Sequence, residues 1–249
     1  MKTTRYRIAK LGAGALVLVV LFTMLAGASF AAGPITTTYQ VTITNLTPGQ
    51  PFAPPVLATH RGRVSLFDVG QPASYQIKES AENGNNGPLV ASLSANPFVY
   101  DVQTGGAPIV SPNDPGGTGL PSSATYTIET ERRSRFLSVA AMLICTNDGF
   151  TGVSRLPLPA RTGSSLSVYV PAYDAGTEIN TEDFADLVPP CPAMTGVPSD
   201  APGSGTSNPA LAEGGVVSLH AGVTGVADLI PAIHDWSGPV AKITVTRIN

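Results

Sequence analysis

Residues 136–150 read FLSVAAMLICTNDGF, a mostly apolar run that ends in a short acidic turn. An apolar run of this length fits a central strand that is buried on both faces, although periodicity alone does not separate it from a buried helix. Its neighbours favour the strand, because the segments before and after it alternate between polar and apolar residues. The sequence therefore predicts a sheet built around residues 136–145.

Alternation marks further strands along the chain. TTTYQVTIT at 36–44 places Tyr39, Val41 and Ile43 on one face, as in a half-buried strand. A helix is predicted over 72–82, between a proline and Asn83-Gly84. The other predicted strands are 124–130, 166–170, 216–220 and 240–248, with an edge strand at 56–60 after two prolines and short strands at 89–93 and 98–102.

Seven to nine short strands with one or two short helices predict an all-β fold, an antiparallel β-sandwich. The segments 83–119 and 189–209 are rich in Gly, Pro, Asn and Ser and are predicted to be loops. No linker divides the chain into two self-sufficient cores, so residues 33–249 are predicted to form one domain.

The composition excludes several classes of protein. Of 249 residues, only 12% are charged and 43% are hydrophobic, against roughly 25% charged in average proteins. A highly charged disordered chain, a coiled coil and a collagen are therefore excluded.

The first 32 residues have the layout of a secretory signal peptide. Four cations precede an uncharged apolar run at 11–25, and small residues at 26–32 offer cleavage sites after Ala28, Ala31 or Ala32. The alternative is an uncleaved membrane anchor, since about 20 apolar residues span a bilayer. Either reading predicts export, to the outside of the cell or to the cell envelope.

Removal of this segment leaves 10 Lys and Arg against 17 Asp and Glu, a formal charge of −7. Nucleic acids are bound by clustered cations, so this balance argues against a nucleic-acid partner. It is compatible with a divalent cation.

The chain has two cysteines, Cys145 and Cys191. Oxidising compartments favour disulfides, so export predicts a Cys145–Cys191 bond. The alternative is a buried free Cys145 and an exposed free Cys191.

Two acidic loops follow predicted strands. Asp148 lies in CTNDGF after the central strand, and Asp174 and Glu178 lie in YDAGTE after LSVYV. If those strands are neighbours, the three carboxylates converge at one end of the sandwich, and carboxylates are hard oxygen ligands of the kind that Ca²⁺ prefers. The alternative is that both loops are ordinary turns. Glu182, Asp183 and Asp186 are candidates for a second, looser site.

No motif for catalysis is evident. The three histidines, His60, His220 and His234, are far apart, and neither a G-x-S-x-G nor an H-E-x-x-H pattern occurs. There is no P-loop. An arginine cluster at 132–135 is either a solvated turn or a contact for an anionic surface.

Several segments together resemble the spondin domain. They are YQVTITNLTPGQP at 39–51, PPVLATH at 54–60, LFDVGQPAS at 66–74, MLICTNDGFTGV at 142–153, AYDAGTE at 172–178, GVTGVADL at 222–229 and PVAKITVTRI at 239–248. The resemblance implies a β-sandwich similar to calcium- and lipid-binding modules. It also implies one Ca²⁺ ion held by Asp148, Asp174 and Glu178, with glutamate at a position where the animal proteins often have aspartate.

The resemblance implies an exported, non-enzymatic, calcium-binding module for binding or adhesion outside the cell. The chain has no room for the thrombospondin-type repeats of the animal proteins, so their partners do not carry over. One alternative is calcium-dependent membrane binding, for which Phe150 would be an exposed loop tip. Another is a calcium-dependent hydrolase that uses His220 or His234.

Overall fold

A computed structural model describes residues 36–201 and 203–249. The described residues belong to one compact unit. The predicted signal peptide, residues 1–32, lies outside the described residues. Within the described residues, no helix combines the length and the apolar character needed to cross a bilayer.

The described part of the chain forms ten strands, four short α-helices and two 3₁₀ turns at Phe184–Asp186 and Pro209–Leu211. In chain order the elements are β1 (Thr37–Asn45), β2 (Val56–His60), α1 (Tyr75–Asn83), α2 (Gly87–Ser94), β3 (Val99–Thr104), β4 (Ser123–Thr130), β5 (Phe136–Met142), β6 (Gly149–Pro157), β7 (Ser165–Val170), β8 (Ala172–Asp174), α3 (Pro190–Thr195), β9 (Ser218–Leu219), α4 (Pro231–His234) and β10 (Ala241–Arg247).

Two antiparallel sheets make the predicted sandwich. One has the strand order β4-β1-β10-β7, and the other has the order β3-β2-β5-β6-β8-β9. Neighbouring apolar residues are matched across the strands, as in the pairs Val41–Val245 and Ile43–Ile243 of β1 and β10. The chain crosses between the sheets several times, and one crossing is at Pro171, between β7 and β8.

A buried core fills the space between the sheets, and it includes Val41, Ile43, Leu57, Leu137 and Val245. The outer face of the six-stranded sheet is covered as well. There, helices α1 and α2 join sheet residues in a second buried cluster, which includes Ile77, Ala81, Leu89, Leu93, Val56, Ala58, Ala140 and Phe150. Strand β5 thus has apolar neighbours on both faces, which explains its unbroken apolar sequence.

Helix α1 ends within one residue of its predicted end, but it begins at Tyr75, three residues after its predicted start. The Ser74 hydroxyl accepts a hydrogen bond from the Ile77 amide at 3.2 Å, which caps the first turn. Gly84 ends the helix in the left-handed conformation with a φ of 63°.

The structure differs from the predictions in several local features. The predicted strand 89–93 is helix α2, in which Pro88 occupies the first turn and Leu89 and Leu93 lie four residues apart on the buried side. Strand β2 is internal rather than an edge, since it pairs with both β3 and β5 and all five of its residues are buried. Helix α3 interrupts the predicted loop 189–209. Strand β6 was not predicted.

Candidate metal centre

The predicted acids Asp148, Asp174 and Glu178 come together at one edge of the six-stranded sheet. Gly149 of β6 pairs with Asp174 of β8, and the Glu178 amide donates a hydrogen bond to the Asp148 carboxylate. The expected reason was wrong, because β7 lies in the other sheet and is not a neighbour of β5. Strands β6 and β8 bring the two loops together instead.

The Asp148 side chain is fully buried, and its two oxygens differ. Oδ2 accepts hydrogen bonds from the Thr177 amide at 2.7 Å, the Glu178 amide at 3.1 Å and the Thr177 hydroxyl at 3.2 Å. Oδ1 is buried and has no hydrogen-bond partner among the described residues. Burial, and then the nearby Asp174 carboxylate, raise the pKa of Asp148 to about 6.

Asp174 holds the second loop in place. Its Oδ1 accepts from the Gly176 amide and its Oδ2 from the Asn180 side chain, each at 2.7 Å. Gly176 has a φ of 68°, and a Cβ there would lie 2.5 Å from the Val216 nitrogen. Glycine is therefore required at this position, where the loop turns from β8 towards Glu178.

Glu178 is 3% exposed, and its Oε1 accepts a hydrogen bond from the Asn208 amide at 2.9 Å. Burial raises the pKa of Glu178 to about 7, although the Asn208 hydrogen bond and Lys78 lower it. The carboxylates of Glu82 and Asp148 both add to the rise. Glu178 therefore lies within electrostatic reach of two other buried acids.

Glu82, on helix α1, was not predicted as a site residue. It is 4% exposed, and its Oε2 forms an ion pair with Lys78 one helical turn earlier. Its Oε1 is buried without a hydrogen-bond partner among the described residues. Helix α1 thus adds a fourth acid to the three that the loops supply, and we call Glu82, Asp148, Asp174 and Glu178 the carboxylate cluster.

The carboxylate cluster is not a closed ligand set. Among the described residues, only Cys145, Cys191 and His234 form a group of three whose ligand atoms all lie within 4.8 Å of one another. That group cannot bind a metal through thiolates, because the cysteines are joined in a disulfide. The carboxylate cluster does fit a hard cation in another respect, since two of its buried oxygens lack any donor among the described residues.

The acids considered for a second site have structural roles. Glu182 accepts hydrogen bonds from the amides of Thr224, Gly225 and Val226 and from the Thr224 hydroxyl. Burial alone would raise the pKa of Glu182, but these bonds together lower it. Asp183 caps the following 3₁₀ turn through the Ala185 amide, and Asp186 accepts from Asn208.

The predicted disulfide is confirmed. Cys145 and Cys191 are bonded at 2.02 Å, and there is no free cysteine in the described part of the chain. The bond ties α3 to the loop that leads to Asp148.

His60, His234 and Phe150 lie in the interior, and His220 is half-buried. His234 is fully buried and its ring nitrogens contact Ile230 and Thr195. His220 accepts from the Gly222 amide through Nδ1, and its ring lies 5.2 Å from that of Trp236. Phe150 is 2% exposed and its ring packs edge-on against Phe67, so the expectation of an exposed loop tip was wrong.

A family model described as Spondin_N matches residues 27–185. The chain belongs to the spondin family. The match includes all four acids of the carboxylate cluster, and it marks the spondin domain as one of extracellular type. No curated protein matches the chain significantly.

Proposed function

We propose that this spondin domain is a non-enzymatic calcium-binding module that acts outside the cell. The observation behind the proposal is the Asp148 carboxylate, which is fully buried and has one oxygen with no donor among the described residues. Leaving a charged oxygen in this state is costly, and a bound cation removes the cost. Ca²⁺ takes six to eight hard oxygen ligands, which carboxylates, backbone carbonyls and water supply.

The ligands from the loops would be Asp148, Asp174 and Glu178. Glu82 would add a ligand from α1, since its Oε1 also lacks a donor within the described chain. Burial, and then repulsion from the charges of neighbouring carboxylates, raise the pKa of Asp148 to about 6 and that of Glu178 to about 7, so the cluster resists being fully ionised on its own. A divalent cation offsets that repulsion and favours the ionised forms.

Calcium at the carboxylate cluster would also order the loop of residues 175–182. This loop contacts Asp148 through the Thr177 and Glu178 amides, and it exposes Ile179. Calcium would hold the loop, α1 and the loop before β6 in one arrangement, with the disulfide nearby as a second tether. The ordered loops would then offer a surface to an extracellular or cell-surface partner, and the charge of −7 argues against nucleic acid.

Two observations weigh against the alternatives. A hydrolase would need a histidine that is paired with an acid beside a nucleophile, yet the histidine hydrogen bonds of the described residues go to backbone groups and hydroxyls. Calcium-dependent membrane binding would use Phe150 as an exposed loop tip, and Phe150 is buried.

Thermal unfolding of residues 34–249 in calcium, magnesium and a chelator tests the proposal. A ligand that binds the folded state stabilises it by about 2.7 kcal/mol at a hundredfold excess over Kd. We expect calcium to raise the Tm of the wild-type protein and of Glu129→Gln, whose exposed carboxylate lies on β4 outside the cluster. Asp148→Asn, Glu178→Gln and Glu82→Gln should each lose most of the rise. An equal Tm in calcium and chelator for the wild type would refute the proposal.

A further inference from the structure

A cavity of about 340 Å³ opens at the end of the sandwich opposite the carboxylate cluster. Strand β6 begins beside Asp148 and ends at Pro157, next to the cavity residue Leu158. The eight steps between the nine residues of β6, at about 3.3 Å each, separate the two ends by about 26 Å. The cavity therefore belongs to a different site from the carboxylate cluster.

The floor of the cavity is made of buried side chains. Thr37, Tyr39, Thr130 and Ser134 line it and are each less than 10% exposed. The Tyr39 hydroxyl donates a hydrogen bond to the Pro159 carbonyl at 2.8 Å. Leu158 and Pro159 supply an apolar wall beside these hydroxyl groups.

Three arginines, Arg132, Arg135 and Arg247, complete the lining. The acid of the lining, Glu131, is already paired with Arg61 at 2.8 Å. None of the three arginines forms an ion pair with a side-chain carboxylate within the described residues. The cavity thus presents positive charge that no carboxylate of its own lining neutralises.

Two of the three arginines, Arg135 and Arg247, are held in place by backbone carbonyls. Arg135 Nε donates to the Arg132 carbonyl at 3.1 Å, and the Arg247 guanidinium donates to the Ala160 carbonyl. Burial raises the pKa of Tyr39, and the positive charge of Arg247 partly opposes the rise, which places this guanidinium close to the phenol. Arg132 and Arg135 are exposed, so they form the rim of the cavity.

This arrangement suits one class of ligand. Guanidinium groups bind carboxylate, sulfate and phosphate through paired hydrogen bonds. Hydroxyl side chains and an apolar wall match the hydroxyl groups and the C–H face of a sugar ring. A volume of about 340 Å³ lies at the low end of the range for small-molecule sites, roughly 300–1,000 Å³.

We infer that the cavity binds an anionic saccharide, namely a sugar unit of an extracellular glycan that carries a sulfate, phosphate or carboxylate group. An anionic membrane is the less favoured partner, because a flat surface would meet the exposed rim arginines and leave the buried hydroxyl floor unused. The domain would then have a glycan site at one end and the carboxylate cluster at the other.

The test measures binding of a sulfated tetrasaccharide to residues 34–249 in chelator, by calorimetry at low ionic strength. The comparison probes are an unsulfated tetrasaccharide, inorganic sulfate, and vesicles that contain phosphatidylglycerol. We expect the sulfated saccharide to bind more tightly than each of the three. Equal binding of inorganic sulfate would reduce the cavity to a free-anion site, and preferential binding of vesicles would make a membrane the partner; either result overturns the inference, as does no binding.

Two double variants with equal loss of charge locate the site. Arg132→Gln with Arg135→Gln removes the rim, and we expect affinity to fall on the order of tenfold or more, since hydrogen bonds between charged groups contribute about 1.5–3 kcal/mol each. Arg133→Gln with Arg161→Gln removes exposed arginines that do not line the cavity and should change affinity little. Equal losses in the two double variants would show unspecific charge attraction and overturn the inference.

A variant in the floor of the cavity tests whether the cavity recognises the sugar ring as well as its charged group. Thr37→Val keeps the shape and the arginines but removes one buried hydroxyl. It should weaken binding of the sulfated tetrasaccharide and leave binding of inorganic sulfate unchanged. An unaltered affinity for the saccharide would contradict a role for the floor.

Discussion

Asp148 is a carboxylate that water cannot reach, and its two oxygens have different surroundings. Oδ2 accepts three hydrogen bonds from Thr177 and Glu178, while Oδ1 has no donor among the described residues. The bonds to Oδ2 fix the orientation of the side chain. In the calcium site that we propose, Oδ1 is the oxygen that would contact the cation, and Asp174 is close enough to raise the pKa of Asp148.

The raised pKa values predict how the metal-free protein responds to pH. The pKa values of Asp148 and Glu178, about 6 and about 7, lie above their ordinary values of 3.8 and 4.5. The folded state therefore binds more protons than the unfolded chain between about pH 4 and pH 7, and the free energy of unfolding falls as the pH rises through this window. Urea unfolding in chelator at several pH values measures the fall.

Asp148→Asn should reduce that fall by roughly 3 kcal/mol, since a tenfold change in proton affinity between the folded and unfolded states corresponds to about 1.36 kcal/mol. Glu129→Gln serves as the control and should keep the full pH dependence. With saturating calcium the wild-type trend should reverse, because calcium binds the ionised carboxylates. A pH dependence that is unaltered in Asp148→Asn would show that ionising this carboxyl carries no penalty in the folded protein.

The sequence predicts three of the four acids of the cluster, and the reason lies in their positions. Asp148, Asp174 and Glu178 lie in turns beside strands, where acidic residues next to glycine are conspicuous. Glu82 follows an ordinary helical pattern, and only the packing of α1 on the six-stranded sheet brings it near Glu178. No local signal in the sequence reports that packing.

Strands β5 and β6 pack so closely at Gly152 that no side chain fits there. A Cβ on Gly152 would lie 1.9 Å from the Val139 carbonyl oxygen of β5. Gly152→Ala should therefore push β5 and β6 apart and lower the free energy of unfolding by about 2–3 kcal/mol, as overpacking does elsewhere. Gly106→Ala is the matched control, since nothing lies within 4 Å of the added methyl group. Equal stabilities of the two variants in urea unfolding would contradict the pairing of β5 with β6.

The disulfide links two elements that the sheet does not connect. Cys145 and Cys191 are 46 residues apart, and the chain-entropy model gives about 4 kcal/mol of stabilisation for a closed loop of this length. Cys145→Ser with Cys191→Ser should lower the Tm and also weaken calcium binding, because α3 no longer restrains the loop before Asp148. Calcium affinity equal to that of the wild type would show that the tether serves stability alone.

Strand predictions succeeded for β5, whose apolar run is unbroken, and for strands with one exposed face, whereas predictions failed where tertiary contacts decide the structure. β1, β4 and β10 alternate clearly because their outer faces meet solvent. Residues 89–93 are short and apolar, and they become a helix because α2 and α1 together cover the sheet. β6 was missed since its first residues lie in the turn motif CTNDGF and Gly152 interrupts its pattern.

The two ends of the sandwich carry side chains of opposite charge. The carboxylate cluster lies where β6 begins and β8 ends, and the arginine-rimmed cavity lies where β6 and β10 end. The fold class follows from the strand pattern alone, whereas this division follows from the sheet order. Of the two ends, the carboxylate cluster defines the function that we propose, which is calcium binding.

Calorimetric titration of calcium into residues 34–249 measures calcium binding directly. The titration is done at about pH 7.5, which is above the pKa values of Asp148 and Glu178. We predict one-site binding to the wild type and to Glu129→Gln, and a loss of that binding in Asp148→Asn although the variant stays folded. Absence of binding to the folded wild type, or unchanged binding to Asp148→Asn, would contradict calcium binding by the carboxylate cluster.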